Sequence, residues 1–267
     1  MRINRHLFSW PVMVLLLWGV AVICAQVLDL SPNKIRLESI LHLPDLHAWL
    51  GYDDLGRNVL SRIIAGVQVS MTVAVVVTTI TLSVGVSIGL LAGYFGGWLD
   101  RLLMQVTDVF LAFPGILLAI AFAAVLGPGL NNLILALCMT SWVGYARLTR
   151  AQALSLRNRQ HVQAAQSLGA STYRVMLHHM LPLLAAPLVV EATYSIAGLV
   201  IAEASLSFLG LGIQAPQASW GAMLRDGVRY MLVAPHYVLA VGLSLMSLVL
   251  AVNVLGDKLR DRLDVRH

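Results

Sequence analysis

Long uncharged runs are the feature that most limits what this chain can fold into. A helix needs about 20 apolar residues to cross the roughly 30 Å hydrocarbon layer of a membrane. The sequence is 58% hydrophobic and 12% charged, whereas soluble domains carry about 25% charged residues. The runs therefore predict an all-α membrane protein with six transmembrane helices. They are Leu7 to Leu28, Ile63 to Leu99, two helices within Val109 to Ala146, Pro182 to Leu206 and Met231 to Leu255.

Turn-forming residues divide the run from 109 to 146. Gly127, Pro128 and Gly129 interrupt it, and Asn131 and Asn132 follow closely. Residues of these types favour tight turns. We therefore predict that this run forms two helices joined by a short turn.

Three glycines lie at intervals of four in the second run, at Gly85, Gly89 and Gly93. Residues with this spacing share one face of a helix, and small residues there let a neighbouring helix approach closely. The pattern predicts close packing of this helix within the bundle.

Lysine and arginine are distributed unevenly between the loops. Placing the N-terminus in the cytoplasm puts twelve of the eighteen inside and six outside. Cytoplasmic loops of membrane proteins carry the excess of these residues, so we predict that both termini are cytoplasmic. The basic residues are scattered over separate loops, which does not indicate a nucleic-acid partner. The predicted surroundings are membrane lipid.

The first run follows Arg2 and Arg5 and has features of a secretory signal. Its uncharged length of 22 residues exceeds the roughly 7 to 15 of a signal core, which favours a retained anchor. We predict an N-terminal anchor helix and extracytoplasmic segment in residues 1–66. A membrane domain in 67–256 and a cytoplasmic tail in 257–267 follow.

The longest predicted cytoplasmic loop covers residues 147 to 181. Its second half has an apolar stripe at helical spacing, which predicts an amphipathic helix at the membrane edge. The stripe consists of Tyr173, Met176, Leu177, Met180 and Leu181. A looser stripe before it predicts another short helix, and Gly169 lies where one helix must end and the next begin. Such short helices are marginal in water, so either the membrane surface or a soluble partner must hold them.

Sequence signatures of nucleotide and metal chemistry are absent. There is no GxxxxGK[ST] phosphate loop, so we predict that the chain binds no ATP itself, and there is no HExxH or GxSxG motif. His42 with His47, and His178 with His179, are not at helical ligand spacing for one ion. No metal site is therefore predicted.

Ionisable residues are few in or near the predicted spans. Such residues are costly in hydrocarbon, and a functional role is the default hypothesis for them. They are Asp108, Glu191 and Glu203. Glu191 lies deepest, whereas the other two lie near span ends and can also reach water or a helix partner.

The stretch QAAQSLGASTYRVMLHHMLP, residues 163–182, resembles the EAA loop of the membrane subunits of bacterial ATP-binding cassette (ABC) importers. That pattern runs E-A-A, three residues, Gly, nine residues, a hydrophobic residue, any residue and Leu-Pro. Gln163 replaces the family's glutamate, and His179 replaces its hydrophobic residue. The candidate coupling residues are Gln163, Ala164, Ala165, Gly169, Ala170, Ser171, Leu181 and Pro182.

Three further stretches resemble the peptide/nickel branch of this binding-protein-dependent transport family. They are LGYDDLGRNVLSRIIAG, SFLGLGIQAPQASWGAML and GDKLRDRLD. The second contains helix-breaking Gly and Pro with aromatics suited to the membrane interface. It is either a plain connector or a segment that dips back to shape the outer mouth of a pathway. Peptide and nickel or metal-chelate substrates both remain open.

The resemblance implies a type I ABC importer permease fold, with residues 67–256 as the permease domain. It also implies a bacterial inner-membrane subunit that pairs with a second permease and translocates solute by alternating access. Two cytoplasmic ATPase subunits would carry ATP and Mg, and an extracytoplasmic binding protein would deliver solute. On this basis the chain is not itself an enzyme, and the glycine-centred loop docks on an ATPase subunit.

Two other classes of protein are alternatives. A secondary transporter driven by an ion gradient predicts inverted repeats with discontinuous helices at matched positions, which the sequence does not display. A membrane-bound enzyme predicts a nucleophile with a base, or a metal constellation, and neither is evident.

Overall fold

The computed structural model describes residues 10–27, 30–46 and 48–264, and these residues fold almost entirely into helices. A single 3-10 turn lies between the first two helices, at Leu37–Ser39. The helices are α1 (Trp10–Val27), α2 (Val59–Phe95), α3 (Gly97–Leu111), α4 (Gly115–Leu126), α5 (Leu130–Leu156), α6 (Gln160–Ser167), α7 (Thr172–Arg174), α8 (Leu181–Phe208), α9 (Trp220–Val228) and α10 (Pro235–Asp264). The prediction of an all-α membrane protein is confirmed.

The central helix pair of the bundle is α2 against α5, and α8 packs on both. The three glycines of α2 lie at this contact. A Cβ built at Gly85 would lie 2.5 Å from the Trp142 carbonyl oxygen, and one at Gly89 would lie 2.5 Å from the Ala146 carbonyl oxygen. The predicted close approach of a neighbouring helix is confirmed, because no side chain fits between the two backbones.

Gly89→Ala is expected to destabilise the bundle by about 1–3 kcal/mol, the usual cost of overpacking. The new methyl group would meet backbone atoms of α5, which cannot rotate away. Thermal unfolding of the purified chain in detergent measures the effect. Gly242→Ala in α10 is the matched control, because a Cβ there meets nothing within 4 Å. Equal unfolding temperatures for the two variants would contradict the packing argument.

The predicted span beginning at Val109 is wrong in one respect. α3 ends at Leu111, α4 begins at Gly115, and the two helices are bent by 84° to each other. Pro114 explains the break, because proline lacks an N–H and disfavours helical backbone in the residue before it. The turn predicted between this run's two helices is confirmed at Gly127, where φ is +82°.

The number of spans is only partly supported. In the described part of the chain, four helices are long and apolar enough to cross a membrane, or five if the bent pair counts as one. The fifth helix, α5, is 27 residues long but is not among them. Six spans and two cytoplasmic termini therefore stay predictions. Residues 1–9, where the first predicted span begins, lie outside the described ranges.

The ends of two long helices differ from the predictions. α2 stops at Phe95 because Gly96 and Gly97 adopt positive φ of +66° and +62°. α10 begins at Pro235 and continues through the predicted tail to Asp264. The part of the tail that is described is therefore helical and continuous with the last long helix.

The glycine-rich segment before the last span re-enters the bundle as helix α9. Ser219 caps it by accepting a hydrogen bond from the Ala222 backbone N–H at 3.2 Å. Trp220 is fully buried, and its indole N–H donates to the Ile63 carbonyl oxygen at 2.9 Å. Trp220 is therefore a core residue rather than an interface anchor, because α2 opens a place for its ring at Gly66.

Candidate functional site

The turn at Gly169 closes α6 with a Schellman motif. The Ala170 N–H donates to the Ala165 carbonyl oxygen at 3.0 Å, and the Gly169 N–H donates to the Gln166 carbonyl oxygen at 2.9 Å. Gly169 has φ of +82°, a backbone conformation that glycine adopts without a steric penalty. The predicted helix end at this glycine is confirmed.

A long helix follows the turn instead of a short one. The Ser171 hydroxyl accepts the Arg174 N–H at 3.4 Å and so caps α7. α7, a π-helical stretch at Val175–Met180 and α8 then form one continuous helix, Thr172–Phe208. Leu181 and Pro182 lie inside this helix. The π turn ends just before Pro182, whose ring would clash with a carbonyl one α turn earlier.

The π turn changes which residues face the protein. Of the predicted stripe, Met180 is fully buried within the chain, whereas Tyr173 is 69% exposed. The other buried residues of this helix are Val175, Leu184 and Leu188, and Val175 is five positions from Met180. The surface that the rest of the stripe contacts stays a prediction.

The candidate coupling residues mostly project from the chain. Gln163 and Ala164 are exposed, and Ala170 is half-buried. A Cβ at Gly169 would meet no heavy atom within 4 Å, and the neighbouring Leu168 is 88% exposed. The apolar side chain of Leu168 and the backbone of Gly169 are therefore both accessible to a partner protein.

Two contacts fix α6 to the membrane bundle. Ala165 and Val162 are buried against the adjoining end of the bundle. The Gln166 side-chain amide donates to the Tyr94 hydroxyl at 3.1 Å. Beside them, Arg157 donates to the Gly93 carbonyl oxygen at 3.3 Å. α6 is therefore held against the adjoining end of α2 and against the π-helical stretch that follows the turn.

Glu203 is fully buried and ties α8 to α2. Its carboxylate accepts hydrogen bonds from the Ser70 hydroxyl at 2.6 Å and from the Ser207 hydroxyl at 2.8 Å. Buried polar groups are stable when they are paired in this way. This environment favours the structural interpretation of Glu203.

Asp108 and Glu191 lie in different surroundings. Asp108 is exposed on α3. The pKa of Arg150 is raised by its hydrogen bond with Asp100 and, to a lesser extent, by the negative charge of Asp108. Glu191 is half-buried and lines a cavity of about 560 Å³ between α5, α8 and α10. The structure therefore does not bring Asp108, Glu191 and Glu203 together into one site.

A buried ionic cluster at the start of α2 was missed by sequence reasoning. Asp53 is fully buried, and one of its carboxylate oxygens lies 2.6 Å from Arg57 Nε and 3.3 Å from Arg62 Nε. The other oxygen accepts the N–H groups of Leu55 and Arg57, each at 2.9 Å. The four-residue spacing of Asp53 and Arg57 could have predicted an ion pair, but nothing in the sequence indicated that the pair is buried.

Asp54, next to this cluster, gives the chain a pH-dependent stability. Its own burial, and then the charge of Asp53, raise the pKa of the Asp54 carboxyl above its ordinary value of 3.8. The folded state therefore favours the protonated form, and stability is lost as pH rises through the interval between 3.8 and the raised pKa. Asp54→Asn, which cannot ionise, is expected to abolish that loss.

Unfolding of both proteins in detergent between pH 4 and pH 8 measures this difference. The stability of Asp54→Asn relative to the unmodified chain should increase with pH. A difference that is constant over this interval, or that decreases, would contradict the assignment.

Comparison with known proteins agrees with this architecture. Residues 85–265 match the model of the family described as binding-protein-dependent transport system inner membrane component. Two relatives are named glutathione transport system permease protein GsiD, from Shigella flexneri serotype 5b and Escherichia coli strain UTI89. They are 44% and 42% identical to this chain over 252 residues, which is 94% of this chain and 83% of each relative.

A solved structure of the MetNI methionine ABC transporter, in inward-facing conformations, has a similar fold. Its TM-score is 0.62 at 19% identity, and the match covers 75% of this chain and 95% of that chain. The predicted ABC importer permease fold is confirmed.

The chain belongs to the family of binding-protein-dependent transport system inner membrane components. It is a permease subunit of an ABC importer and a multi-pass protein of the inner membrane. Permeases of this kind work with ATPase subunits and a substrate-binding protein. The alternative of an ion-gradient-driven secondary transporter is wrong, because the relatives are importer permeases.

Proposed function

We propose that this permease moves short peptides, and that the Gly169 turn is the point at which ATP-driven movement enters it. The observation that carries the substrate class is the identity of 44% over 94% of the chain to a permease named for glutathione transport. Glutathione is a tripeptide. Peptide is therefore favoured over nickel as the substrate.

The geometry of the loop supports its role in coupling. A Cβ at Gly169 would meet no heavy atom within 4 Å, whereas α6 behind the turn is bonded to Tyr94 at the end of α2 and packs on the π-helical stretch. The helix after it, Thr172–Phe208, is continuous with a predicted membrane span. A rigid element of this kind can transmit a displacement between two sites if it has two positions.

The proposed assembly follows from the family. A second permease subunit completes the pathway, two ATPase subunits bind ATP and Mg beneath it, and an extracytoplasmic binding protein delivers the peptide. This chain would contribute neither nucleotide binding nor hydrolysis. The loss of charge at Gln163, where the family has glutamate, implies that docking relies on shape and on exposed Leu168 rather than on a salt bridge there.

Uptake of two labelled substrates tests the proposal. A strain lacking this permease, with its partner subunits intact, should regain uptake of labelled glutathione or a labelled dipeptide when the chain is restored. Uptake of radioactive nickel should not change. Gly169→Asp, expressed at the same level, is the matched inactive control. Restoration of nickel uptake without peptide uptake would overturn the assigned substrate class.

A further inference from the structure

A cavity of about 560 Å³ lies at the end of the bundle that carries the Gly169 turn. Its walls are the last turns of α5, the first half of α8 and the end of α10. Apolar side chains make up most of the lining, and five polar side chains interrupt them. The polar residues are Gln152, Arg159, Glu191, Tyr194 and Arg260. The volume lies within the roughly 300–1,000 Å³ of small-molecule sites.

The charges of this cavity have a definite pattern. Glu191 is the one carboxylate in its lining, and it shares the lining with the guanidinium groups of Arg159 and Arg260. Arg260 also interacts with the Tyr194 hydroxyl, which is bonded to Asp257 just outside the lining. A short peptide of the glutathione type carries one ammonium group and two carboxylates, which is the complementary set. Charge complementarity of this kind gives specificity and orientation to a bound ligand.

The backbone of α8 adds an acceptor to the same wall. Pro187 has no N–H, so the Leu183 carbonyl oxygen lacks the donor that an α-helix provides four residues later, and both residues line the cavity. Glu191 points toward α5, where a Cβ at Gly144 would lie 3.5 Å from its Oε1. A Cβ there would be in ordinary van der Waals contact with the carboxylate.

We infer that this cavity is a peptide-binding site on the translocation pathway. Glu191 binds the ammonium group of the peptide there, and Arg159 and Arg260 bind its carboxylates. The inference rests on the proposed peptide transport. The cavity is bounded by α5 and α8, the helices on either side of the Gly169 turn, so a movement of that turn changes the separation of its walls. Ligand release is thereby linked to the ATPase cycle.

An anionic phospholipid is the competing occupant, because basic pockets at membrane edges bind lipid headgroups. The polar side chains of Glu191 and Gln152 oppose it. An acyl chain lying against them would leave them without partners, and the carboxylate would repel the phosphate. The Tyr194 hydroxyl donates to Asp257 at 2.5 Å, which places a second carboxylate close to the same wall.

Thiol protection in the complete transporter tests the inference. In a background with Cys24→Ser and Cys138→Ala, Gln152→Cys places a thiol on the cavity wall. Ser155→Cys places one on the same helix at an exposed position outside the cavity. Inside-out vesicles are labelled with a membrane-impermeant methanethiosulfonate. S-methylglutathione serves as the peptide because it has no free thiol.

S-methylglutathione at ten times its Kd is expected to slow labelling at position 152 by about tenfold, because only the unoccupied fraction reacts. Labelling at position 155 should not change. N-acetyl-S-methylglutathione, which lacks the ammonium group, should not protect. Glu191→Gln should abolish protection, while co-purification of this variant with the ATPase subunits shows that it is folded.

Three results would overturn the inference. Equal protection by the acetylated peptide would remove the role of Glu191, and protection by short-chain phosphatidylglycerol alone would make the cavity a lipid site. Absence of any protection, in a complex that still imports peptide, would show that the cavity is not a peptide-binding site, and the proposed function would be unaffected. If the unmodified complex imports no peptide, the proposed function itself fails.

Discussion

Replacing Gly169 with aspartate is expected to abolish uptake and association with the ATPase subunits while the chain still inserts in the membrane. Gly169 has φ of +82°, and a Cβ there meets nothing within 4 Å. A side chain at this positive φ is strained even in open space, but aspartate tolerates the left-handed conformation better than most residues. A charged side chain would instead meet the surface of the docked ATPase subunit. A loss of association would therefore result from that contact and not from misfolding of this chain.

Gly169→Asn is the matched control for this substitution. Asparagine has nearly the size of aspartate and also tolerates left-handed backbone, but it carries no charge. Both variants should reach similar levels in the membrane, and Gly169→Asn should co-purify with the ATPase subunits better than Gly169→Asp does. Uptake by Gly169→Asp at the level of the unmodified chain would contradict the coupling role.

Replacing Asp53 with alanine is expected to have the largest effect on folding. Removal of one partner from a buried ion pair typically costs about 3–5 kcal/mol, because the other charge stays buried and uncompensated. Here two guanidinium groups, those of Arg57 and Arg62, would lose their shared carboxylate, and Arg57 would keep only its longer contact of 3.5 Å to Asp54. The N–H groups of Leu55 and Arg57 would also lose their acceptor.

Unfolding of the purified chain, followed by tryptophan fluorescence in detergent, measures this loss. Asp54→Ala is the control at the adjacent position, where the carboxyl is half-buried and its charged form is already disfavoured. Asp54→Ala should unfold close to the unmodified chain, and Asp53→Ala far below it. A free energy of unfolding within about 1 kcal/mol of the unmodified chain, for Asp53→Ala, would show that the pair is not the stabilising contact.

The candidate site was predictable where a local rule governs it. The helix end at Gly169 follows from the preference of glycine for positive φ, and the glycines of α2 follow from their four-residue spacing. The burial of Val175 was not predictable in this way, because the π turn before Pro182 changes the helical period in this stretch. The coupling role of these residues stays a prediction.

The amino-acid sequence alone determined that the chain is helical and suited to a membrane, because an uncharged run or a turn residue governs the structure of its own short segment. Only the tertiary structure decided that Trp220 lies in the core, that Glu203 is bonded to Ser70, and that Glu191 shares a cavity with Arg260. The reason is physical: burial and charge pairing depend on residues that are far apart in the chain, and no local pattern specifies which of them meet.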